Sequence, residues 1–114
     1  MPPSLYDVMS QRDWKKMHFG TDALNTACIA GALAVQEYGS ISGYLSVPSA
    51  FTSRGSKYLR NLRKLGEVAA RLFPERINGI SGYKAVNFNN HPETTVDQVL
   101  KVCAEYDREV EADA

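Results

Sequence analysis

The side chains best suited to chemistry in this 114-residue chain are two cysteines and two histidines: Cys28, Cys103, His18 and His91. In number they match a Cys2His2 zinc site. In spacing they do not, because no two of them lie close enough for a finger or knuckle. No metal and no cofactor is expected. A thiol nucleophile needs a base beside it and a group that orients the base. Cys28, His91 and either Asn89 or Asn90 supply those residue types, provided the fold brings them together. The competing reading makes Cys28 a small buried hydrophobe. In that reading Asn89, Asn90, His91 and Thr94 form a polar run that satisfies the free N–H groups of a following helix. We adopt the second, so Cys28 and His91 stand as catalytic candidates only in a runner-up reading. The chain has no phosphate-binding glycine loop, no H-E-x-x-H and no G-x-S-x-G.

Charge supplies the other candidates. The formal net charge is zero, so nothing at whole-chain level draws the protein to nucleic acid or to a membrane. That total hides two blocks of opposite sign. From Thr52 to Lys84, eight basic residues oppose Glu67 and Glu75, a local +6. From Ala85 to the end, seven acidic residues oppose two basic ones, a local −5. Arg60, Lys64 and Arg71 are the binding candidates of the first block, and Asn89, Asn90 and His91 are the polar ones that follow it. With Tyr58 and Tyr83, the basic segment reads as a nucleic-acid surface. The simpler account is that the two blocks face each other.

These residues need elements to hold them. The central one is Asp22 to Tyr38, DALNTACIAGALAVQEY, which carries no charge from Ala23 to Gln36. A helix apolar on all sides belongs inside a fold. This one is too short and too rich in small residues to span a bilayer. Thr21 or Asp22 is its expected cap, and Gly39 its C′ glycine. Glycine inside a helix costs about 1 kcal/mol against alanine, so Gly31 is expected to mark the close approach of another helix. Ahead of it, Ser4 caps a short helix with Leu5, Val8 and Met9 inward. Lys15 to Gly20 is a connector, with Trp14, Met17 and Phe19 as wedges into the core, their alternative being an exposed aromatic patch for a partner.

Gly39 to Ser56 is rich in Ser and Gly but contains Ile41, Tyr44, Leu45, Val47 and Phe51. It is expected either to hide a helical turn at Ile41 to Ser46 or to be a mobile functional loop. Lys57 to Phe73 is amphipathic, with Leu59, Leu62, Leu65, Gly66, Ala69, Leu72 and Phe73 inward, and Pro74 stops it. Gly79 and Gly82 break the chain, and Lys84 to Phe88 reads as a short extended piece with Val86 and Phe88 facing in. The last helix opens at Thr94 or Thr95 and runs to about Val110. Its inward stripe is Val96, Val99, Leu100, Cys103, Tyr106 and Val110, and residues 111–114 form a frayed acidic tail.

Several of these features occur together in a recognisable order. Trp14 follows a short first helix; Cys28, Gly31, Ala32 and Leu33 spell C-x-x-G-A-L; and Asn89, Asn90, Pro92 and Thr94 open the last helix. In this the chain resembles a small domain family of unknown function found mostly in actinobacteria and their phages. Asn90 stands where the family pattern has Asp. The resemblance implies no activity.

The expectation is therefore one all-α domain over residues 1–114, an orthogonal bundle of about four main helices around a buried central helix. Its expected function is non-enzymatic: an interaction protein of actinobacterial or phage type that binds a protein partner. A nucleic-acid module using residues 52–84 is the first alternative and a thiol enzyme the second. The N-terminus has no basic-then-apolar signal layout, which makes the cytoplasm the default compartment, with no membrane partner.

Overall fold

The computed structural model describes residues 3–46 and 53–113, and the backbone alone for 53–56. Six α-helices lie among the described residues: α1 Leu5–Ser10, α2 Ile29–Tyr38, α3 Ile41–Leu45, α4 Ser53–Leu72, α5 Lys84–Asn90 and α6 Val96–Ala112. The fold is an all-α bundle. Its one sheet among those residues is a two-residue parallel pair, β1 Asp13–Trp14 with β2 Thr26–Ala27, in register Asp13 to Thr26 and Trp14 to Ala27. No helix of the described residues is long and apolar enough to cross a membrane.

Helix α2 is the centre. Ile29 to Ala34 are six consecutive buried residues, as a helix without a polar face requires. It packs against α1, α3, α4 and α5, and Gly39 ends it in the left-handed conformation at φ 84°. Its start differs from expectation. The helix begins at Ile29, with Cys28 rather than Thr21 or Asp22 at the cap. Asn25 turns the chain at φ 53°, a conformation Asn tolerates. Thr26 and Ala27 then run extended and pair with β1. An apolar run of this kind reads the same as helix or as buried strand. Asp22 caps a different helix: its carboxylate accepts the Ile41 and Ser42 N–H groups at 3.0 and 2.9 Å, at the start of α3. It also pairs with Arg12 at 2.8 Å.

Gly31 is crowded, though not by a helix. A Cβ built there would lie 2.0 Å from the Phe19 carbonyl oxygen, so the connector backbone passes over α2 at this point. Trp14 and Phe19 pack partly buried against the core. Met17 is no wedge: it is 75 % exposed, because its backbone turns to φ 58°.

The other helices follow their local signals more closely. The Ser4 hydroxyl accepts the Asp7 N–H and caps α1, with Leu5, Val8 and Met9 buried. The Leu5 and Tyr6 N–H groups donate to the Asp107 carboxylate at 2.8 Å each, which ties α1 to α6. The turn at 41–45 is helical, capped by Ser40; Val47 and Phe51 lie outside the described residues. In α4 the buried residues include Tyr58 and Val68 beside Leu62, Leu65 and Ala69. The Tyr58 hydroxyl donates to the Ala30 carbonyl at 2.9 Å, so this ring is core and offers nothing to a nucleic acid.

Residues 84–90 form a helix, not an extended piece. Ala85, Phe88 and Asn89 point inward at i, i+3 and i+4, a spacing that the alternation of Val86 and Phe88 conceals. At Gly66 an added Cβ would lie 3.1 Å from the Ala85 nitrogen, and this glycine lets α5 press on α4. In α6, Thr95 and Gln98 form a full capping box. Val99, Val102, Cys103 and Tyr106 are buried, while Val96 and Val110 are exposed. The inward stripe is thus narrower than the expected one, and it includes Val102. The helix continues past Val110 to Ala112.

Candidate functional site

The polar run at the end of α5 divides into two roles. Asn89 is fully buried, and its amide is saturated. The oxygen accepts from Trp14 Nε1 at 2.6 Å and from the Ile29 N–H at 2.9 Å. The NH2 group donates to the Lys15 carbonyl at 3.0 Å and to Asn90 Oδ1 at 3.1 Å. Four bonds are all that an Asn amide can make, so Asn89 has none left for a ligand. It does satisfy a helix N–H, but the helix is α2, not the α6 that follows it in sequence.

Asn90 and His91 face a cleft. The Asn90 oxygen accepts the Met17 N–H at 2.7 Å as well as the Asn89 amide. This fixes its orientation and leaves its NH2 group as a free donor among the described residues. His91 Nδ1 accepts the Glu93 N–H at 3.1 Å, which places the neutral ring's proton on Nε2. Both residues line a cavity of about 540 Å³ between the 15–20 connector and the 78–92 segment. None of the ten described residues lining it is an Asp, Glu, Lys or Arg. Its rim holds Met17 and the fully exposed Ile80. Asn87 braces the far wall: its amide oxygen accepts the Ser81 N–H and its NH2 donates to the Ser81 carbonyl, at 3.0 and 2.9 Å.

A second cavity of about 270 Å³ adjoins the first and shares Met17, Val86 and Asn90 with it. Cys28, Phe19 and Ala30 lie on its walls, and His18 is at its exposed edge. Cys28 and His91 therefore line neighbouring cavities. Among the described residues no hydrogen bond joins them. The sulfur accepts the Gly31 N–H at 3.4 Å, and burial pushes the thiol pKa up, against the smaller opposing pull of the Gly31 and Ala30 N–H groups. A nucleophile–base pair needs hydrogen-bond contact and a lowered thiol pKa, and the geometry supplies neither. Cys103 is a second free buried thiol, in the core. No cluster of His, Cys, Asp or Glu among the described residues could hold a metal ion.

The two charge blocks do meet. Lys64 pairs with Asp113 and Arg71 with Glu109, both across α4 and α6. Arg76 donates to Gln98 at 2.6 Å and lies 3.9 Å from Glu93. Lys57, Arg60 and Arg63 are exposed on α4 without an ion pair among the described residues. Of the three candidate cations, Arg60 has no ion pair among the described residues, while Lys64 and Arg71 are engaged by the acidic end of the chain.

No protein-family model, curated protein or solved structure matches this chain. The site must be read from its own geometry. Ile80 carried no functional reading in the sequence, and Met17 carried one only as the alternative to a core wedge. Ile80 left one signal: a large apolar residue in a Gly-bounded polar loop, with no periodic partner. The exposure of Met17 goes with a left-handed backbone angle, which residue spacing does not show.

Proposed function

We propose that the protein is a non-enzymatic interaction module that seats an extended segment of a partner protein in the cleft beside α5. One observation carries the reading: Met17 and Ile80, both exposed, flank a cavity of about 540 Å³ whose described lining holds no Asp, Glu, Lys or Arg. Exposed apolar groups around a concave site mark recognition surfaces, and scattered single residues would not share one rim. The unused donors, the Asn90 NH2 and the His91 Nε2–H, suit backbone carbonyl oxygens. The resemblance to actinobacterial and phage domains belongs to this proposal, and it makes a cytoplasmic lysate of such a host the place to look for the partner.

The test is comparative capture with tagged wild type, Met17→Asp, Ile80→Asp and Leu24→Asp, the last an exposed apolar residue away from the cleft. A partner retained by wild type and Leu24→Asp but lost by both cleft variants is the expected result. Capture that ignores the cleft variants refutes the reading. A nucleic-acid reading has one observation in its favour: Lys57, Arg60 and Arg63 are exposed without an ion pair among the described residues. Retention on DNA or RNA that falls with salt and is lost in Arg60→Glu would support it instead.

A further inference from the structure

We propose that Asn78 is a self-modifying position: its side-chain amide is lost through attack by the backbone nitrogen of Gly79, which leaves a carboxylate in the wall of the cleft. The inference does not depend on what the cleft binds. Asparagine is a thermolabile residue type, and its deamidation has structural requirements. The side chain must be accessible and unbonded. The next residue must offer a backbone nitrogen that no side chain crowds and no helix holds.

The chain has six asparagines, and Asn78 alone precedes a glycine. Asn78 is exposed and lines the cleft. Among the described residues neither its side chain nor the Gly79 N–H makes a hydrogen bond. The other five are held. Asn25 donates to the Gln11 carbonyl at 2.7 Å, and Asn61 donates to the Glu37 carboxylate. Asn87 spends both ends of its amide on Ser81. Asn89 makes four bonds, and the Asn90 oxygen accepts two. Each of these five is followed by a residue with a side chain. The fold also requires glycine at position 79. A Cβ there would lie 2.4 Å from Asn87 Oδ1, an oxygen already fixed by the Ser81 N–H at 3.0 Å. Gly79 has no Cβ to meet that oxygen or to shield its own nitrogen.

The step balances with water alone. The Gly79 nitrogen gives up its proton and bonds to Asn78 Cγ. The Cγ–Nδ2 bond breaks, and the nitrogen leaves as ammonia with that proton. The product is a five-membered succinimide. Water opens the ring at either carbonyl, giving aspartate or isoaspartate. An unperturbed aspartate carboxyl has a pKa of about 3.9, so the new group is charged at neutral pH. The described lining of the cleft otherwise holds no Asp, Glu, Lys or Arg, and the step gives it a full negative charge.

The experiment ages the full folded chain in neutral and in mildly alkaline buffer, beside an unaged control, and maps it after trypsin. Cleavage after Arg76 and Lys84 releases segment 77–84, in which Asn78 is the one asparagine. This segment should gain one mass unit ahead of every other asparagine-containing segment and faster at the higher pH. It should split into aspartyl and isoaspartyl forms. Asn78→Gln, which must close a larger ring, should keep its mass over the same period. In 15N spectra Asn78→Asp should shift the side-chain amide of Asn90, which lines the same cavity. No gain in segment 77–84 of the folded protein, or a gain no faster than at Asn25 or Asn61, overturns the assignment. Aspartate without isoaspartate also overturns it, because direct hydrolysis would bypass Gly79. An unmoved Asn90 amide in Asn78→Asp overturns the placement of the charge in the cleft.

Discussion

Replacing Gly31 by Ala sets two opposite effects against each other. On a free helix the added methyl stabilises by up to about 1 kcal/mol, through backbone entropy. In this fold the new Cβ would lie 2.0 Å from the Phe19 carbonyl oxygen and 3.1 Å from the Phe19 carbonyl carbon. Both are backbone atoms, so no side chain can swing away. To restore even 3.0 Å, the connector must move by about an ångström. The Phe19 carbonyl accepts the Cys28 N–H at 3.1 Å, and the Phe19 ring packs on Tyr44 with centroids 5.2 Å apart. Overpacking costs about 1–3 kcal/mol, and loss of the hydrogen bond adds about 0.5–1.5 kcal/mol. After the propensity gain, Gly31→Ala should destabilise by about 0.5–3.5 kcal/mol. A urea titration reads this as a lower midpoint at unchanged slope. A variant as stable as the parent, or more so, would refute the packing of the connector over α2.

Asn89→Ala strands the Trp14 indole N–H, the Ile29 N–H and the Lys15 carbonyl, and each unsatisfied buried group costs about 1–3 kcal/mol. It should lose at least about 2 kcal/mol in thermal or urea unfolding, with a change in Trp14 fluorescence. Arg12 first, then the Ile41 and Ser42 N–H groups, hold the Asp22 carboxyl well below the usual carboxylate range. Its stabilisation is complete above the unfolded value of about 3.9 and lost as pH falls toward the folded one. Asp22→Asn should be less stable than the parent at neutral pH, and urea midpoints should converge below about pH 4. Lys64→Glu breaks an exposed pair with Asp113 and Arg60→Glu breaks none among the described residues, so each should change stability by at most about 1 kcal/mol. A sharp drop in melting temperature for Arg60→Glu would mean that its face of α4 is covered.

Local signals were legible because their partners lie within a few residues. The Ser4 and Thr95 caps, the amphipathic stripe of α4, the Gly39 stop and the burial of residues 29–34 each depend on one helical turn or one repeat. Gly31 was legible as a crowded position, since glycine there costs helix stability that something must offset. What crowds it was not, because Phe19 reaches it through the tertiary path of the connector. Short segments were misread where two periods fit the same residues. Val86 and Phe88 alternate as in a strand, yet Ala85, Phe88 and Asn89 share a helical face.

The sequence by itself determined the fold class, the central position of α2 and the cysteines as buried small residues. Local periodicity and composition encode those properties without reference to distant contacts. Only the tertiary structure decided where α2 starts, because that depends on pairing of residues 13–14 with 26–27. It also decided that Asn89 is spent on Trp14, Lys15 and Ile29 while the neighbouring Asn90 keeps a free donor. The amide side chains are chemically identical, and only their hydrogen-bond partners, some sixty to seventy-five residues away, distinguish them. The cleft has the same origin. Met17, Ile80 and His91 come from separate segments, and the path of the chain, not their spacing, places them around one cavity.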